Sequence, residues 1–214
     1  VEHLNFSASI FTNFSQDHLD YHRTMKSYLN AKLVLFKKIL PKKRIVISDK
    51  SIKEYSILKK ICKKRELHLI NALSIKKKLE KNLDSQLNEF QLKNLSMATV
   101  AAQLCNLKEK KIFQTFKKIK DVDGRMQLIK SFPKGVKVFV DFAHTPDALQ
   151  KTLTSLKNSV SGDISLVFGC GGDRDFKKRP LMAKIGSNFC KKIYVTDDNP
   201  RNENPGKIRK EIIK

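Results

Sequence analysis

The residues best suited to chemistry stand in three short polar loops, at 141–146, 169–175 and 196–201. The first loop places a carboxylate and an imidazole just before a predicted helix, whose first N–H groups favour a phosphate. The second loop combines glycines, which allow close backbone approach, with Arg174, which can hold a carboxylate or phosphate by two parallel hydrogen bonds. The third offers Asp198, Asn199 and Arg201, a set suited to a ligand carrying both carboxylate and ammonium groups. The alternative for the first loop is an ordinary strand-turn-helix connection, and for the third it is an Asx-Pro turn.

A second group of candidate residues lies near the start of the chain. His18 and His22 are four residues apart, so both imidazoles can share one helix face, and Asp17 and Asp20 add carboxylates suited to a divalent metal. The alternative is a hydrogen-bonded helix start, because the glutamate of the zinc-protease motif is missing. Lys32 falls on the apolar stripe of a predicted helix. It can snorkel to water, or it can have a lowered pKa and react with CO2 to give an anionic carbamate.

The elements around the three loops must bring them to one edge of a sheet. Apolar runs at 136–140, 164–168 and 193–195 alternate with helical patterns at 147–156, 180–189 and from 206 onward, and all eight glycines lie in this half. This order predicts a parallel sheet with right-handed crossovers, in which the loops follow the carboxyl ends of consecutive strands. Ligands bind at that edge of open α/β sheets. Thr145 and Asn204 each precede a proline, the pattern of a capped helix start.

The first half of the chain is Lys-rich and mostly helical in pattern. Apolar spacing predicts helices at 25–40, 52–64 and 90–107, and short β-branched or apolar runs predict strands at 45–47 and 67–70. The polar stretch 72–84 is ambiguous, and residues 121–125 have the composition of a junction between two domains.

Composition narrows the function classes. No apolar stretch reaches the ~20 residues that a membrane span requires, and the first residues do not form a signal peptide. The four scattered cysteines favour reduced thiols and a cytoplasmic protein. The net charge of +23 raises the question of nucleic-acid binding. However, the lysines are spread over nearly every segment instead of forming one basic stripe, which favours a solvated Lys-rich surface without a nucleic-acid partner.

Six stretches of the sequence, in order, resemble motifs of one enzyme family. They are residues 11–22, 30–33, 124–126, 141–149, 169–182 and 196–201. Together they resemble the Mur ligases of peptidoglycan synthesis, and they span almost the whole chain. The resemblance implies an α/β fold in which residues 1–122 are part of a P-loop-type central ATPase domain. Residues 123–214 would then be part of a Rossmann-like C-terminal domain with a mostly parallel sheet.

The resemblance also implies a reaction and its partners. Mur ligases use ATP and Mg2+ to convert a carboxylate to an acyl phosphate, which the amine of an amino acid then attacks. Residues 198–201 resemble the members that add meso-diaminopimelate to UDP-N-acetylmuramoyl-L-alanyl-D-glutamate in the cytoplasm. Two alternatives remain open, a lysine-adding enzyme on the same scaffold and a basic nucleic-acid-binding module.

Residue roles follow from the matched positions. On the catalytic and metal side, His18 resembles a magnesium ligand, and Lys32 resembles the lysine that is carbamylated to bind magnesium and the transferring phosphoryl group. On the ATP side, the matches are Arg125 facing the phosphates, Asp141 on the ribose, His144 toward the phosphates, and Asn94 on adenine, although the segment around Asn94 departs from the family pattern. On the amino-acid side, they are Arg174, Asn199 and Arg201, with Asp198 beside them.

Three parts of the family pattern are missing from the sequence. A phosphate-binding P-loop, the domain for the UDP-sugar and a magnesium-binding glutamate have no match in these 214 residues. We therefore expect the sequence to be an internal fragment that does not turn over ATP by itself.

Overall fold

The computed structural model describes residues 4–83, 87–116, 118–119 and 122–214. Backbone contacts divide them into two compact units, one made of residues 4–14 and 29–119, the other of residues 15–28 and 122–214. The short segment 15–28, which contains His18, therefore packs with the second unit although it lies far away in sequence. Two ends of predicted segments, Asp84 and Asp121, lie outside the described residues.

The first unit is built on a parallel sheet of three strands in the order β1-β2-β3. The strands are β1 (Ala8–Phe11), β2 (Ile45–Ser48) and β3 (His68–Asn71). The helices are α2 (Met25–Val34), which belongs to this unit from Leu29 onward, α3 (Tyr55–Arg65), α4 (Lys76–Asn82), α5 (Glu89–Leu104) and α6 (Glu109–Phe116). A π-helix (Leu35–Ile39) continues α2, and a 3-10 helix (Ala72–Ile75) precedes α4. The strands predicted at 45–47 and 67–70 are confirmed, and the ambiguous stretch at 72–84 is helical as far as Asn82.

Both faces of the central strand β2 are covered, as expected of parallel strands packed between helices. Val46 packs into a core with Phe36 and Leu58, whereas its neighbour Ile47 packs into a second core with Leu79 and residues of α5. The alternation of side chains along a strand produces this division. The central strand is therefore held in place from two sides.

The second unit contains two pairs of strands. Strands β4 (Gln127–Ser131) and β5 (Lys137–Val140) are antiparallel, and β6 (Ser165–Phe168) and β7 (Lys192–Val195) are parallel. The helices are α1 (Leu19–His22), α7 (Pro146–Ser159), α8 (Lys178–Phe189) and α9 (Pro205–Ile213). Leu153, Met182 and Ile212 lie in one core that joins the last three helices. Across the described residues, no helix is both long and apolar enough to span a bilayer.

The parallel arrangement predicted for the second half is confirmed for β6 and β7, and β5 differs. Its hydrogen-bonded neighbour is β4, which precedes it across a short connection containing Lys134 and Gly135, both with positive φ. Such a short connection allows antiparallel pairing, whereas a parallel neighbour requires a long crossover. The strand still ends where predicted, so Asp141 leaves the sheet at the expected point.

Candidate active site

The first polar loop is organised by the carboxylate of Asp141. Its Oδ2 accepts a hydrogen bond from the N–H of Met126 at 2.8 Å, and its Oδ1 accepts bonds from the N–H of Ala143 at 2.9 Å and from Thr152 Oγ1 at 3.0 Å. A carboxylate offers roughly four lone-pair positions, and the protein occupies three. Asp141 therefore fastens the turn before β4 to the loop after β5 and retains capacity for one further donor.

Two exposed rings and one guanidinium lie beside this carboxylate. The guanidinium of Arg125 lies 4.5 Å from the centre of the Phe142 ring, and the ring of His144 meets the same phenyl ring edge-on at 5.2 Å. His144 Nδ1 is 3.1 Å from the carbonyl oxygen of Phe142, and its Nε2 is 3.7 Å from Asp17 Oδ2. The structure thus brings together the predicted residues Arg125, Asp141 and His144, and it adds Phe142, for which no role was predicted.

Both predicted helix caps are present. Thr145 Oγ1 accepts a hydrogen bond from the N–H of Ala148 at 3.3 Å, and Asn204 Oδ1 accepts one from the N–H of Lys207 at 3.0 Å. Proline occupies the first turn in each case. The first polar loop therefore ends on a fixed helix start.

The second and third polar loops form one continuous seam. The N–H of Gly172 donates to the carbonyl oxygen of Asn199 at 2.8 Å, and Arg201 Nη1 donates to the carbonyl oxygen of Gly172 at 2.6 Å. A Cβ atom on Gly172 would lie 1.8 Å from the carbonyl oxygen of Pro200, and one on Gly169 would lie 2.5 Å from that of Thr196. Glycine at these two positions is therefore what allows the loops to touch.

The seam presents the residues predicted for the amino-acid substrate. Asn199 Oδ1 accepts a hydrogen bond from the N–H of Arg201 at 3.2 Å, and both side chains are exposed, as is Asp198. Arg174 lies near the other end of the second loop, where its Nη1 is 3.5 Å from Asp20 Oδ2. The loops that carry these residues are joined, and the side chains are open to solvent.

The segment 15–28 lies against the same loops. Gln16 Nε2 donates to Asp175 Oδ2 at 2.8 Å, a contact with no signal in the sequence because the partners are 159 positions apart. His18 has φ of 55°, its N–H donates to Asp17 Oδ1 at 2.8 Å, and its ring packs against Tyr28 at 5.6 Å. His22 stacks on the same tyrosine at 5.0 Å. The two histidines therefore both contact the ring of Tyr28.

Lys32 belongs to the first unit, where its Nζ lies 5.9 Å from the centre of the Phe11 ring and its side chain is half-buried. Within the described ranges, no three His, Cys, Asp or Glu residues are grouped as a metal site. Magnesium usually keeps several waters and is held by one or two protein groups together with substrate phosphates. An imidazole and a carbamate are each compatible with magnesium as donors.

Asn94 lines a cleft of about 360 Å³ in the first unit. Thr12 and Asn13, which follow β1, also line it, and Met97 and Ile10 supply apolar surface. Ligand pockets begin at about 300 Å³ and combine apolar walls with a few polar groups. The cleft has the size and lining for a flat heterocycle, and Asn13 is a polar group that the sequence did not single out.

Backbone strain and burial mark the loops of the second unit. Met126, Asp173 and Arg201, like His18, are non-glycine residues with φ between 48° and 55°. Such conformations cost roughly 1–3 kcal/mol each and concentrate at functional sites.

Cys170 in the second loop is not a nucleophile candidate, because burial raises the pKa of its thiol and Met182 packs against it.

Open α/β sheets bind their ligands in loops at the carboxyl ends of parallel strands. The fold and the polar loops therefore place the chain in the class of ligand-binding α/β proteins. Within that class, residues 1–116 match the Mur ligase middle domain, and residues 124–214 match the Mur ligase glutamate ligase domain. The chain therefore belongs to the Mur ligase family, as the sequence motifs indicated.

Curated relatives carry one name. The UDP-N-acetylmuramoyl-L-alanyl-D-glutamate–2,6-diaminopimelate ligase of Rickettsia bellii is 38% identical over 98% of the chain and 48% of its own length. That of Buchnera aphidicola is 36% identical over 100% of the chain and 48% of its own length. The chain thus spans about half the length of these relatives.

Solved structures support the fold. A structure with the same diaminopimelate ligase name is 27% identical, with a TM-score of 0.53 over 96% of the chain and 47% of its own. A bifunctional folylpolyglutamate synthase/dihydrofolate synthase with Mn, AMPPNP and L-glutamate bound has a TM-score of 0.68 at 14% identity, over 97% of the chain and 52% of its own. At that identity only the architecture is comparable.

Proposed function

We propose that this chain is part of an ATP-dependent ligase that adds meso-diaminopimelate to UDP-N-acetylmuramoyl-L-alanyl-D-glutamate in peptidoglycan precursor synthesis. The seam that joins the second and third polar loops carries the proposal, because it holds Asn199 and Arg201 on one short turn and joins it to the loop of Arg174. The names of the curated relatives agree with this substrate pair.

The amino-acid side of the site follows from charge. Diaminopimelate differs from lysine by a second carboxylate, and a guanidinium can pair with it through two charge-assisted hydrogen bonds. Arg201 uses one N–H on Gly172 and keeps the remaining donors. Among the described residues it has no ion pair, so an incoming carboxylate would not have to displace an acidic side chain. Hydrogen bonds to charged groups contribute about 1.5–3 kcal/mol each, which corresponds to a preference of about tenfold or more.

The ATP side is assigned to Arg125, Asp141 and His144, with Asn94 reading adenine in the 360 Å³ cleft. The remaining lone-pair capacity of Asp141 suits a ribose hydroxyl, and Arg125 supplies positive charge for phosphates. The match of residues 1–116 to the Mur ligase middle domain supports a nucleotide with a divalent cation. His18 and carbamylated Lys32 would hold Mg2+, which when bound neutralises charge on the transferring phosphoryl group.

The proposed reaction transfers the terminal phosphoryl group of ATP to the D-glutamyl carboxylate, which gives an acyl phosphate and ADP. The amine of diaminopimelate attacks the acyl carbon, phosphate leaves, and one proton of the amine is released. We place residues 1–122 in the central domain and residues 123–214 in the C-terminal domain. We propose a cytoplasmic location, without a nucleic-acid partner or membrane insertion.

The test compares amino acids in an assay of phosphate release from ATP by the complete gene product, with the UDP-linked dipeptide present. We expect turnover with meso-diaminopimelate and little with lysine. Replacing Arg201 with methionine should reduce the preference by about tenfold or more. A native preference for lysine would refute the assignment of Arg201. The 214 residues alone are expected to release no phosphate, since they contain no Walker A motif.

A further inference from the structure

Two adjacent cations at the start of α8 are buried, although no role has been assigned to either. The exposed fraction is 8% for Lys178 and 1% for Arg179. Lysine and arginine are almost never fully buried unless they are paired, because removing a charge from water is costly. We therefore examined which groups pair with these two side chains.

Arg179 connects the second polar loop to α9 and to Glu203, which lies two residues after the third loop. Its Nη2 donates to the carbonyl oxygen of Gly171 at 3.2 Å and to Glu203 Oε1 at 2.8 Å. Its Nη1 donates to Glu203 Oε2 at 2.9 Å and to Glu211 Oε2 at 2.6 Å. Glu203 Oε1 also accepts the N–H of Asp173 at 2.6 Å. One guanidinium thus bonds to one loop directly and reaches it a second time through Glu203.

Lys178 reaches the remaining loop. Its Nζ donates to the carbonyl oxygen of His144 at 2.8 Å, in the loop between β5 and α7. Lys178 therefore bonds to the first polar loop, and its neighbour Arg179 bonds to the second. Arg179 reaches the third loop through Glu203, whose N–H donates to the carbonyl oxygen of Pro200 at 2.9 Å. A helix is rigid over one turn, so these bonds help to set the distances between the loops, in addition to the seam and the segment 15–28.

We propose that Lys178 and Arg179 form a positioning hub, which fixes the three polar loops relative to one another so that ATP-side and amino-acid-side groups keep their spacing. Neither residue is a catalytic group, since each acts through loop backbone or through Glu203. The hub also engages two carboxylates near the seam. Glu203 and Glu211 are paired with Arg179, which leaves Arg201 available for a substrate carboxylate. This part of the inference rests on the proposed function.

The arginine fork is essential to the hub. A lysine at position 179 would keep the charge but could not bond to Gly171, Glu203 and Glu211 together, because an ammonium is a point donor instead of a planar fork. The conservative variant Arg179→Lys therefore keeps the positive charge and removes the planar guanidinium, so it tests whether the hydrogen-bond geometry is needed. Lys178→Met removes the bond to the first loop alone. Lys191→Met, which breaks the exposed pair with Asp163 at 2.6 Å, is the matched control.

The experiment measures native-state hydrogen exchange of the 214-residue chain, residue by residue, for each variant. For Arg179→Lys we expect exchange at Gly172 and Asp173 to accelerate by about tenfold, and for Arg179→Met by about 100-fold, with the amides of β1 to β3 unchanged. Lys178→Met should accelerate exchange only in the 141–146 loop. The control should match the wild type. Binding of meso-diaminopimelate and of lysine, measured by titration calorimetry, should weaken for diaminopimelate by about tenfold in Arg179→Lys.

Two results would overturn the hub. The first is an unchanged rate of amide exchange in the loops of Arg179→Lys. The second is faster exchange spread evenly through α7, α8 and the loops, because it would show that Arg179 stabilises the whole unit and not the loops in particular. If Arg179→Met does not fold, hydrogen exchange in Arg179→Lys and Glu211→Gln tests the hub instead. If the wild-type chain binds neither amino acid, the proposed substrate assignment fails, while hydrogen exchange still tests the hub. Diaminopimelate binding that survives in a variant with loosened loops would refute the link between hub and recognition.

Discussion

The closest backbone approach in the second unit gives the sharpest prediction. In Gly172→Ala, the new Cβ would stand 1.8 Å from the carbonyl oxygen of Pro200 and 2.6 Å from its carbonyl carbon. Carbon and oxygen atoms in ordinary contact lie about 3.3–3.6 Å apart, so the loops must separate by about 1.5 Å. Overpacking of this kind costs about 1–3 kcal/mol. Separation also lengthens the two hydrogen bonds between Gly172 and the third loop, each contributing about 1 kcal/mol.

The sum is a loss of about 3–5 kcal/mol in the free energy of unfolding of the second unit. For a chain of this size, 1 kcal/mol shifts the melting temperature by about 2–4 °C, so a drop of about 6 °C or more is expected. Thermal and urea unfolding followed by circular dichroism measure it, with hydrogen exchange used to assign the transition, since two units can unfold separately.

Gly162→Ala is the matched control, because a Cβ at Gly162 has no heavy atom within 4 Å. Its stability should stay within about 0.5 kcal/mol of the wild type. If Gly172→Ala and Gly162→Ala unfold at the same midpoint, the contact between the two loops is not formed in solution, and the reasoning on the seam is wrong.

Three further predictions concern the same unit. The hydrogen bond from Arg179, with one from a backbone N–H, lowers the pKa of Glu203 from 4.5 to about 2. The stability from this carboxylate is therefore present above pH 4.5 and lost as the pH falls toward 2, so acid unfolding of Glu203→Gln should lack this pH dependence. Thr145→Ala should lower the free energy of unfolding by about 1 kcal/mol, because the helix cap is lost. Replacing the exposed Thr154 of the same helix with alanine should leave it almost unchanged. Equal urea midpoints for the two variants would contradict the role of the cap. Asp141→Asn turns an amide donor toward N–H groups and should cost about 2 kcal/mol, measured by urea unfolding; an unchanged midpoint would show that its three hydrogen bonds carry no stability.

Local signals were sufficient for the elements that carry the loops. Proline after a capping residue located the starts of α7 and α9, and apolar runs located β5, β6 and β7, because both depend on neighbouring residues. The pairing of β5 with β4 was not predicted, since Lys130 and Ser131 dilute the apolar pattern of β4. In the first half, the helix predicted at 25–40 is present, but its last turn is a π-helix that periodicity does not reveal.

The contacts within the site depended on tertiary structure and were only partly predictable. Arg125, Asp141 and His144 were matched by motif, and the structure brings them together. No role was predicted for Lys178 and Arg179, because periodicity does not register partners 24 and 32 positions away. Gln16 was missed for the same reason. The proposed roles of Lys32 and Asn94 rest on the family motif and on their separate surroundings in the first unit.

The seam between the second and third loops has a consequence for how this protein can change. The contacts that join the loops at Gly172 involve its backbone, the carbonyl groups of Asn199 and Pro200, and the guanidinium of Arg201. The exposed side chains of Arg174 and Asn199 contribute no hydrogen bond to this junction. Under the proposed function, substitutions at Arg174 and Asn199 alter the accepted amino acid while the junction persists, whereas a substitution of Arg201 affects both. A redesign of the substrate range should therefore begin with Arg174 and Asn199 and leave both seam glycines intact.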